Sequence, residues 1–450
     1  MPVLLATDAL VWLLVAAVAA FAWYSSIRPH LAAPWARVFR SKAAVTSCVV
    51  LAAYVLVGML DSLHFRPALA SKDPQATVAY AVEVRSVLDA ALAALRERNE
   101  RTYSAPLATR LYQKEQVEQP DGKVSRDFPR LFHGGSHLKS EAEWGKDVVL
   151  RVTAGLVAAT AAWALLVLAL RRTAVRRWPE VPWPATYAAL ALLLAVAGPT
   201  ILLAQGYHVL GTDKIGQDVL YQALKSVRTS LVIGTLTTLV LLPVGIVAGI
   251  AAGYFKGWVD DAIQYVYTTL NSIPGVLLIA ASVLMVQVYV DTHPELFPTV
   301  AQRSDFRLLS LCVILGALNW TGLARLLRGE ALKLSELEYI QAAHAFGVSH
   351  ARILGRHILP NVSHIIVIAL VMEFSGLVLA EAVLSYVGVG VDPSTISFGT
   401  MINAARLEMA REPMVWWSLA AAFVFMFALV LAANLFADAV RDGFDPRVRV

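Results

Sequence analysis

Few side chains in this 450-residue chain are placed to do chemistry. Two carboxylates, Glu373 and Glu381, lie in a long apolar run at about 362–390. An ionised carboxylate in hydrocarbon costs roughly 2.5–3.5 kcal/mol on insertion scales, so each must face protein or water. Glu381 sits toward one end of the run and Glu373 near its middle. Glu373 therefore has two readings: a protonated carboxyl bonded to a neighbouring helix, or a polar contact in a path across the membrane. Asn271 and Pro274, with Tyr265 and Tyr267, interrupt another apolar run. Pro274 removes a helix hydrogen bond and permits a kink where neighbours or water satisfy the freed carbonyl. These groups serve either helix packing or a polar lining. The ten histidines are scattered, and neither a metal-spaced pair nor a nucleophile elbow occurs. Gly-x-x-x-x-Gly-Lys-Ser/Thr is also missing, so nucleotide is not cradled by that route. Covalent catalysis by this chain is not expected.

The elements that must position these residues are membrane helices. The chain is 58% hydrophobic and only 16% charged, with a mean hydropathy of +0.60. A spanning helix needs roughly 20 apolar residues. Nine runs approach that length, at about 8–26, 43–60, 149–170, 184–205, 227–253, 262–287, 307–328, 362–390 and 414–438. The predicted fold is all-α and polytopic. Cys48 and Cys312 both fall inside apolar runs and read as packing residues. The first apolar stretch, Leu10 to Trp23, has Asp8 before it and no positive n-region, so a cleavable signal peptide is not expected.

Basic residues in short loops set the orientation. Arg28, Arg37, Arg40 and Lys42 follow the first run, and Arg171, Arg172, Arg176 and Arg177 follow the third. Both loops are predicted cytoplasmic, and the two spans between them make the assignments agree. The N-terminus and the polar segment 61–148 then lie outside, and the C-terminus, with Arg441, Arg447 and Arg449, lies inside. The net charge of +5 fits such loop bias, and nucleic acid binding is not expected. Within 61–148, Tyr80, Val84, Leu88, Ala91, Leu92 and Leu95 predict an amphipathic helix. Pro120-Asp121-Gly122 predicts the turn of a hairpin. The segment reads as a packing insert or cover, or as a contact for an extracytoplasmic protein.

One polar island, 329–361, stands between two apolar runs. Leu337, Ile340, Ala343 and Phe346 recur at three-residue steps and predict a short helix with one apolar face. Ala342 and Ala343 keep it thin. Gly347 supplies the stop, and Pro360 is expected to end the segment that follows. His344, His350 and His357 read as solvent or protein contacts. In the preceding run, Gly245, Gly249 and Gly253 at four-residue steps predict close helix packing.

The island's spacing is also a recognisable one. Gln341-Ala342-Ala343, Gly347 and His357-Ile358-Leu359-Pro360-Asn361 resemble the cytoplasmic coupling loop of ABC importer permeases. That pattern reads Glu-Ala-Ala, three residues, Gly, nine residues, Ile-x-Leu-Pro. Here Gln341 takes the Glu place, and His357 takes the first Ile place. Arg356 to Asn361 resembles in particular the branch importing dipeptides, oligopeptides and nickel chelates, specifically its second, C-type permease. From about 184 onward the likeness continues. Gly211-Thr212-Asp213 with Gly216-Gln217-Asp218, Gly253 to Asp260, Glu381 to Gly388, Ser397-Phe398-Gly399, Asn434 to Asp438 and Arg441 to Arg447 are each similar to a family element. Gln217, Phe398 and Ala437 depart from the usual residue.

The resemblance implies a six-helix permease core, 184–450, preceded by a three-helix extension, 1–183, that carries the 61–148 insert. It implies that Tyr339, Gln341, Ala342, Ala343, Gly347, Arg356, His357, Leu359, Pro360 and Asn361 meet an ATPase subunit. Asn271, Pro274, Glu373 and Glu381 become candidates for the translocation path. No cofactor belongs to this chain; ATP and Mg would be bound by one or two partner ATPases. A homologous second permease, an extracytoplasmic substrate-binding protein and membrane lipid complete the implied partners, in a bacterial-type inner membrane. The competing expectation is a gradient-driven secondary transporter or channel with Glu373 as a proton or ion site, which leaves the island unexplained.

Overall fold

A computed structural model describes residues 1–68, 80–118 and 124–444. The chain is almost wholly helical, and nine helices among the described residues are long and apolar enough to cross a membrane. From the N-terminus the helices are α1 (Ala6–Ile27), α2 (Pro29–Arg40) and α3 (Lys42–Asp61). Two short helices, α4 (Val87–Ala91) and α5 (Ala93–Glu97), precede α6 (Trp144–Thr173) and α7 (Trp183–Ala204). Then come α8 (Val219–Phe255), α9 (Gly257–Ser272), α10 (Gly275–Thr292) and α11 (Val300–Ser335). The small α12 (Glu338–Ala345) and α13 (His350–Ile353) lead into α14 (Leu359–Val387), α15 (Phe398–Glu408) and α16 (Trp417–Phe444). Five short strands, β1 (Pro2–Val3), β2 (His64–Phe65), β3 (Arg85–Ser86), β4 (Glu115–Glu118) and β5 (Val124–Asp127), complete the elements.

Contacts divide the chain into two compact units. One comprises 5–38, 230–395 and 433–450. Its core joins α8, α11 and α14, and the glycine stripe makes this possible. A Cβ on Gly249 would lie 2.6 Å from the Ala324 carbonyl oxygen, and one on Gly253 2.5 Å from that of Arg328. Backbone meets backbone there, as small residues at four-residue steps allow. Helix α1 packs on α11, where the Thr7 amide donates to Asp305 at 3.2 Å. That bond satisfies an orphan donor at a helix start.

The other unit comprises 1–4, 39–229 and 396–432. In it α6 and α7 form a tight antiparallel pair, and α3 packs on α7. Strands β1, β2 and β3 form a small antiparallel sheet, and β4 pairs with β5, Glu118 facing Val124. The predicted hairpin therefore has its two strands; its turn, Pro120-Asp121-Gly122, lies outside the described residues, as do Asp445, Pro446, Arg447 and Arg449.

Four expectations change. The run 262–287 is two helices, with Ile273 extended (φ −91°, ψ 132°) between them. The residue before a proline is pushed out of the helical region, and Pro274 does this to Ile273. The amphipathic helix drawn through Tyr80 to Leu95 shrinks to α4 and α5. Tyr80 bridges Ala68 and Arg85 joins β3; Ser86 starts α4 with a capping box to Asp89. The first basic loop is largely α2. Pro360 does not stop a helix: the chain runs from α13 through a π-helical turn, Leu354–Ile358, into α14. In the wider turn the Leu359 amide donates to Leu354 O, five residues back, and Pro360 follows it without an amide to place.

Candidate functional site

The polar island becomes a short helix mounted on the ends of α8, α11 and α14. After α11 the chain turns at Glu336, Leu337 is extended, and α12 runs across. Gly347 ends it with φ +71°. The Gly347 amide donates to His344 O at 3.0 Å and the Val348 amide to Ala343 O at 3.1 Å. This pair of bonds is a Schellman stop, and it needs a left-handed residue at that position. A Cβ on Gly347 would meet nothing within 4 Å, so its requirement is backbone conformation alone.

One side chain anchors α12. Ile340 is buried in a cluster with Tyr254, Leu327, Ala331, Ile353, Ile358 and Val362, and Ala343 packs against it. The four residues at three-residue steps do not share one face. Leu337 and Phe346 are exposed, Phe346 by 86%. Each step of three falls short of a full turn, so nine residues carry the chain about 180° around the axis. Ala342 and Ala343 likewise part company: Ala343 is half-buried and Ala342 is exposed.

Polar contacts fasten the rest. The Tyr254 hydroxyl lies 2.8 Å from His344 Nε2 and 2.9 Å from His350 Nδ1. A phenol has one proton, so it donates to one imidazole and accepts from the other. Lys256 pairs with Glu336, and Gln341 Nε2 donates to Glu336 O at 3.3 Å. Asn361 Nδ2 donates to His357 O at 2.6 Å and to the Tyr339 hydroxyl at 3.3 Å. Arg328 grips Asp260 with two bonds of 2.6 Å, fixing α9 to α11. The guanidinium hydrogen bond holds the Asp260 carboxyl below its ordinary range. The structure thus brings Tyr339, Gln341, Ala342, Ala343, Gly347, His357 and Asn361 together. Arg356, Leu359 and Pro360 are exposed beside them. Leu337, Tyr339 and Phe346, large apolar side chains on a polar segment, are each exposed.

The transmembrane candidates do not form one site. Asn271 is exposed near the end of α9, with Thr321 Oγ1 donating to it at 3.5 Å. Pro274 is exposed in the break before α10. Glu373 is half-buried on α14, beside Phe374, whose ring fills the space above Gly234. Glu381 is 1% exposed and accepts from Ser385 Oγ at 2.7 Å. Two turns of helix separate the carboxylates, about 12 Å of rise.

In the second unit, a charge cluster missed by the sequence reading centres on His208. Its Nδ1 lies 2.7 Å from Asp218 and its Nε2 3.3 Å from Glu100. All three are buried. Burial lowers the His208 pKa, but the two carboxylates outweigh it and raise it to about 9. Burial likewise raises Glu100. His208 and the amides of His133, Phe132 and Gly134 overcome this and bring it to about 2. Asp218 also caps α8, accepting from the Leu220 and Tyr221 amides. Thr212 ties the same loop to the insert, accepting from the Ser104 amide at 2.7 Å. No local pattern could have found this cluster, because Glu100 and Asp218 are 118 positions apart (218 − 100).

The chain is thus an all-α polytopic membrane protein with a short helix mounted on the ends of three long ones. The family described as binding-protein-dependent transport system inner membrane component matches residues 245–450. The chain is 32% identical over 242 residues to the oligopeptide transport system permease protein OppC of Mycobacterium tuberculosis (strain ATCC 25618 / H37Rv), covering 54% of this chain and 77% of that protein. It is 33% identical over 244 residues to the glutathione transport system permease protein GsiD of Pectobacterium atrosepticum, covering 54% and 73%. To the dipeptide transport system permease protein DppC of Lactococcus lactis it is 30% identical over 240 residues, covering 53% and 64%. This chain belongs to the binding-protein-dependent transport system inner membrane component family.

Proposed function

We propose that the chain is one of two homologous permease subunits of an ATP-driven importer of peptides. Residues 184–450 form its transport core and 1–183 an extension. The observation that carries the coupling role is the α12 surface: a helix fixed by Ile340 from within and by the Gly347 stop, presenting Leu337, Tyr339 and Phe346 outward. Exposed aromatic side chains on a rigid element suit a docking contact. One or two ATPase subunits would bind there and hold the ATP and Mg. Their closure would be passed to α8 through Tyr254 and to α11 and α14 through Ile340. An extracytoplasmic binding protein would supply cargo. Peptide cargo is supported by the likeness to permeases of oligopeptide, glutathione and dipeptide transport systems.

In this reading Asn271, Pro274 and Glu373 border the path, while Glu381 serves the end of α14. The α12 side and the C-terminus are cytoplasmic, and the N-terminus and insert are outside. Reporter fusions after Lys114 and Arg177 test this; an extracytoplasmic signal at Arg177 would defeat it. The central experiment reconstitutes the chain with its companion permease, ATPases and binding protein. Phe346→Ala should weaken ATPase binding and uncouple cargo-stimulated hydrolysis. Wild-type coupling in that variant would overturn the docking role. Glu373→Gln should lower transport with assembly intact; loss of assembly would instead make Glu373 a packing residue.

A further inference from the structure

Helices α6 and α7 lie backbone to backbone: a Cβ on Gly155 would sit 2.5 Å from Pro199 Cα, and one on Gly198 2.4 Å from the Gly155 oxygen. Both are candidate spans, so the short link between them, 174–182, sits at headgroup depth on one face of the bilayer. Arg171 and Arg172 close α6, and Arg176 and Arg177 occupy the link; all four are exposed. The acid in this link, Glu180, is taken by Arg40 at 2.7 Å. Among the described residues none of the four arginines has a carboxylate in ion-pair reach. Aromatic rings hold two of them, Arg171 over Tyr187 at 5.8 Å and Arg177 over Trp178 at 5.6 Å. Trp183 Nε1 donates to Trp178 O at 3.0 Å, and tryptophan favours the membrane–water boundary. Directly below, Leu165, Leu166 and Leu168 expose apolar surface along α6.

We propose that this surface binds the headgroup of an anionic phospholipid in the leaflet where the α6–α7 hairpin turns. Guanidinium groups grip phosphate oxygens in pairs. The exposed leucines of the same helix would carry the acyl chains. A soluble anion would satisfy the arginines but leave that apolar wall unused, so a lipid matches the whole surface. The inference is independent of the cargo and of the ATPase contact.

The test is native mass spectrometry of the full chain, alone and in its assembled complex, from micelles with equal phosphatidylglycerol and phosphatidylcholine. A basic residue near an anionic surface strengthens attraction roughly fivefold, and these four overlap in reach. Wild type should therefore retain phosphatidylglycerol at least about tenfold over phosphatidylcholine, with the preference falling as salt rises. The quadruple variant Arg171→Gln, Arg172→Gln, Arg176→Gln, Arg177→Gln should lose it, and the corresponding four-Lys variant should keep most of it. If the quadruple variant is not recovered folded, the pairs 171/172 and 176/177 are changed separately, and each should lose part. Equal retention of the two lipids by wild type would overturn the proposal, as would unchanged preference in the Gln variants. Displacement of the lipid by millimolar inorganic phosphate would overturn the lipid source. Loss of retention on assembly would show that a protein subunit covers the arginines instead.

Discussion

The His208 cluster and the α12 surface are both polar places in an apolar chain, and they are built in opposite ways. At His208 three ionisable groups are removed from water and bonded to one another and to backbone amides. At α12 a single apolar side chain, Ile340, is buried, and most of the helix faces outward. The first arrangement holds a loop and an insert in one geometry, since a buried charge without its partner is costly. The second leaves side chains free to meet something else. Buried charge here is a fastening; the exposed apolar surface is the place proposed for a partner.

The largest expected effect comes from breaking the fastening. His208→Ala would leave the Glu100 and Asp218 carboxylates buried without their cation, a change that typically costs about 3–5 kcal/mol. Thermal unfolding of the purified chain should shift down accordingly, and hydrogen exchange should rise in 100–135 and 206–221. An unchanged profile would mean that the cluster carries no stability. ATPase binding should survive in the folded fraction, because α12 is untouched.

The second effect is pH dependence. The His208 pKa is raised in the folded state, from 6.5 to about 9. Its contribution is complete below pH 6.5 and is lost as pH rises through about 9. A shift of that size corresponds to about 3 kcal/mol at most, shared with its carboxylates. The Glu100 pKa is depressed from 4.5 to about 2, so its contribution is present above 4.5 and disappears as pH falls toward 2. Stability against pH should therefore decline on the alkaline side in wild type, with less decline in His208→Gln. Parallel curves would sink this account.

Gly347→Val tests the α12 end at intermediate size. A β-branched residue at φ +71° is strained, by about 1–3 kcal/mol, while steric room is ample. The expected result is a modest fall in stability and a large loss of coupled ATP hydrolysis. Gly347→Asn, which tolerates left-handed backbone better, should restore part of it. Equal damage from both would point to space rather than conformation. Smallest in stability is Phe346→Ala, within about 0.5 kcal/mol for so exposed a side chain. Its ATPase affinity should nevertheless fall tenfold or more. A stability loss exceeding the binding loss would erase the contrast between the two regions.

The sequence by itself determined what depends on neighbours along the chain. Runs of about 20 apolar residues can only be spanning helices or buried ones, so eight of the runs read as such correspond to single helices. The ninth, 262–287, broke because one proline acts on one preceding residue. The Gly347 stop and the stripe Gly245, Gly249 and Gly253 were also legible, the first because only its position at a helix end matters and the second because its four-residue step marks one helix face.

Tertiary structure alone decided the pairings. Nothing local says that Tyr254 will meet His344 and His350, that Arg328 will grip Asp260, or that Glu100 will reach His208. It also decided which side of α12 is buried, because the ends of α8, α11 and α14 select Ile340 and leave Phe346 outside. The physical reason is range. Dihedral preference and hydrophobic period act over a few residues. Hydrogen bonds and ion pairs act over a few ångströms, and only the folded chain brings distant residues that close.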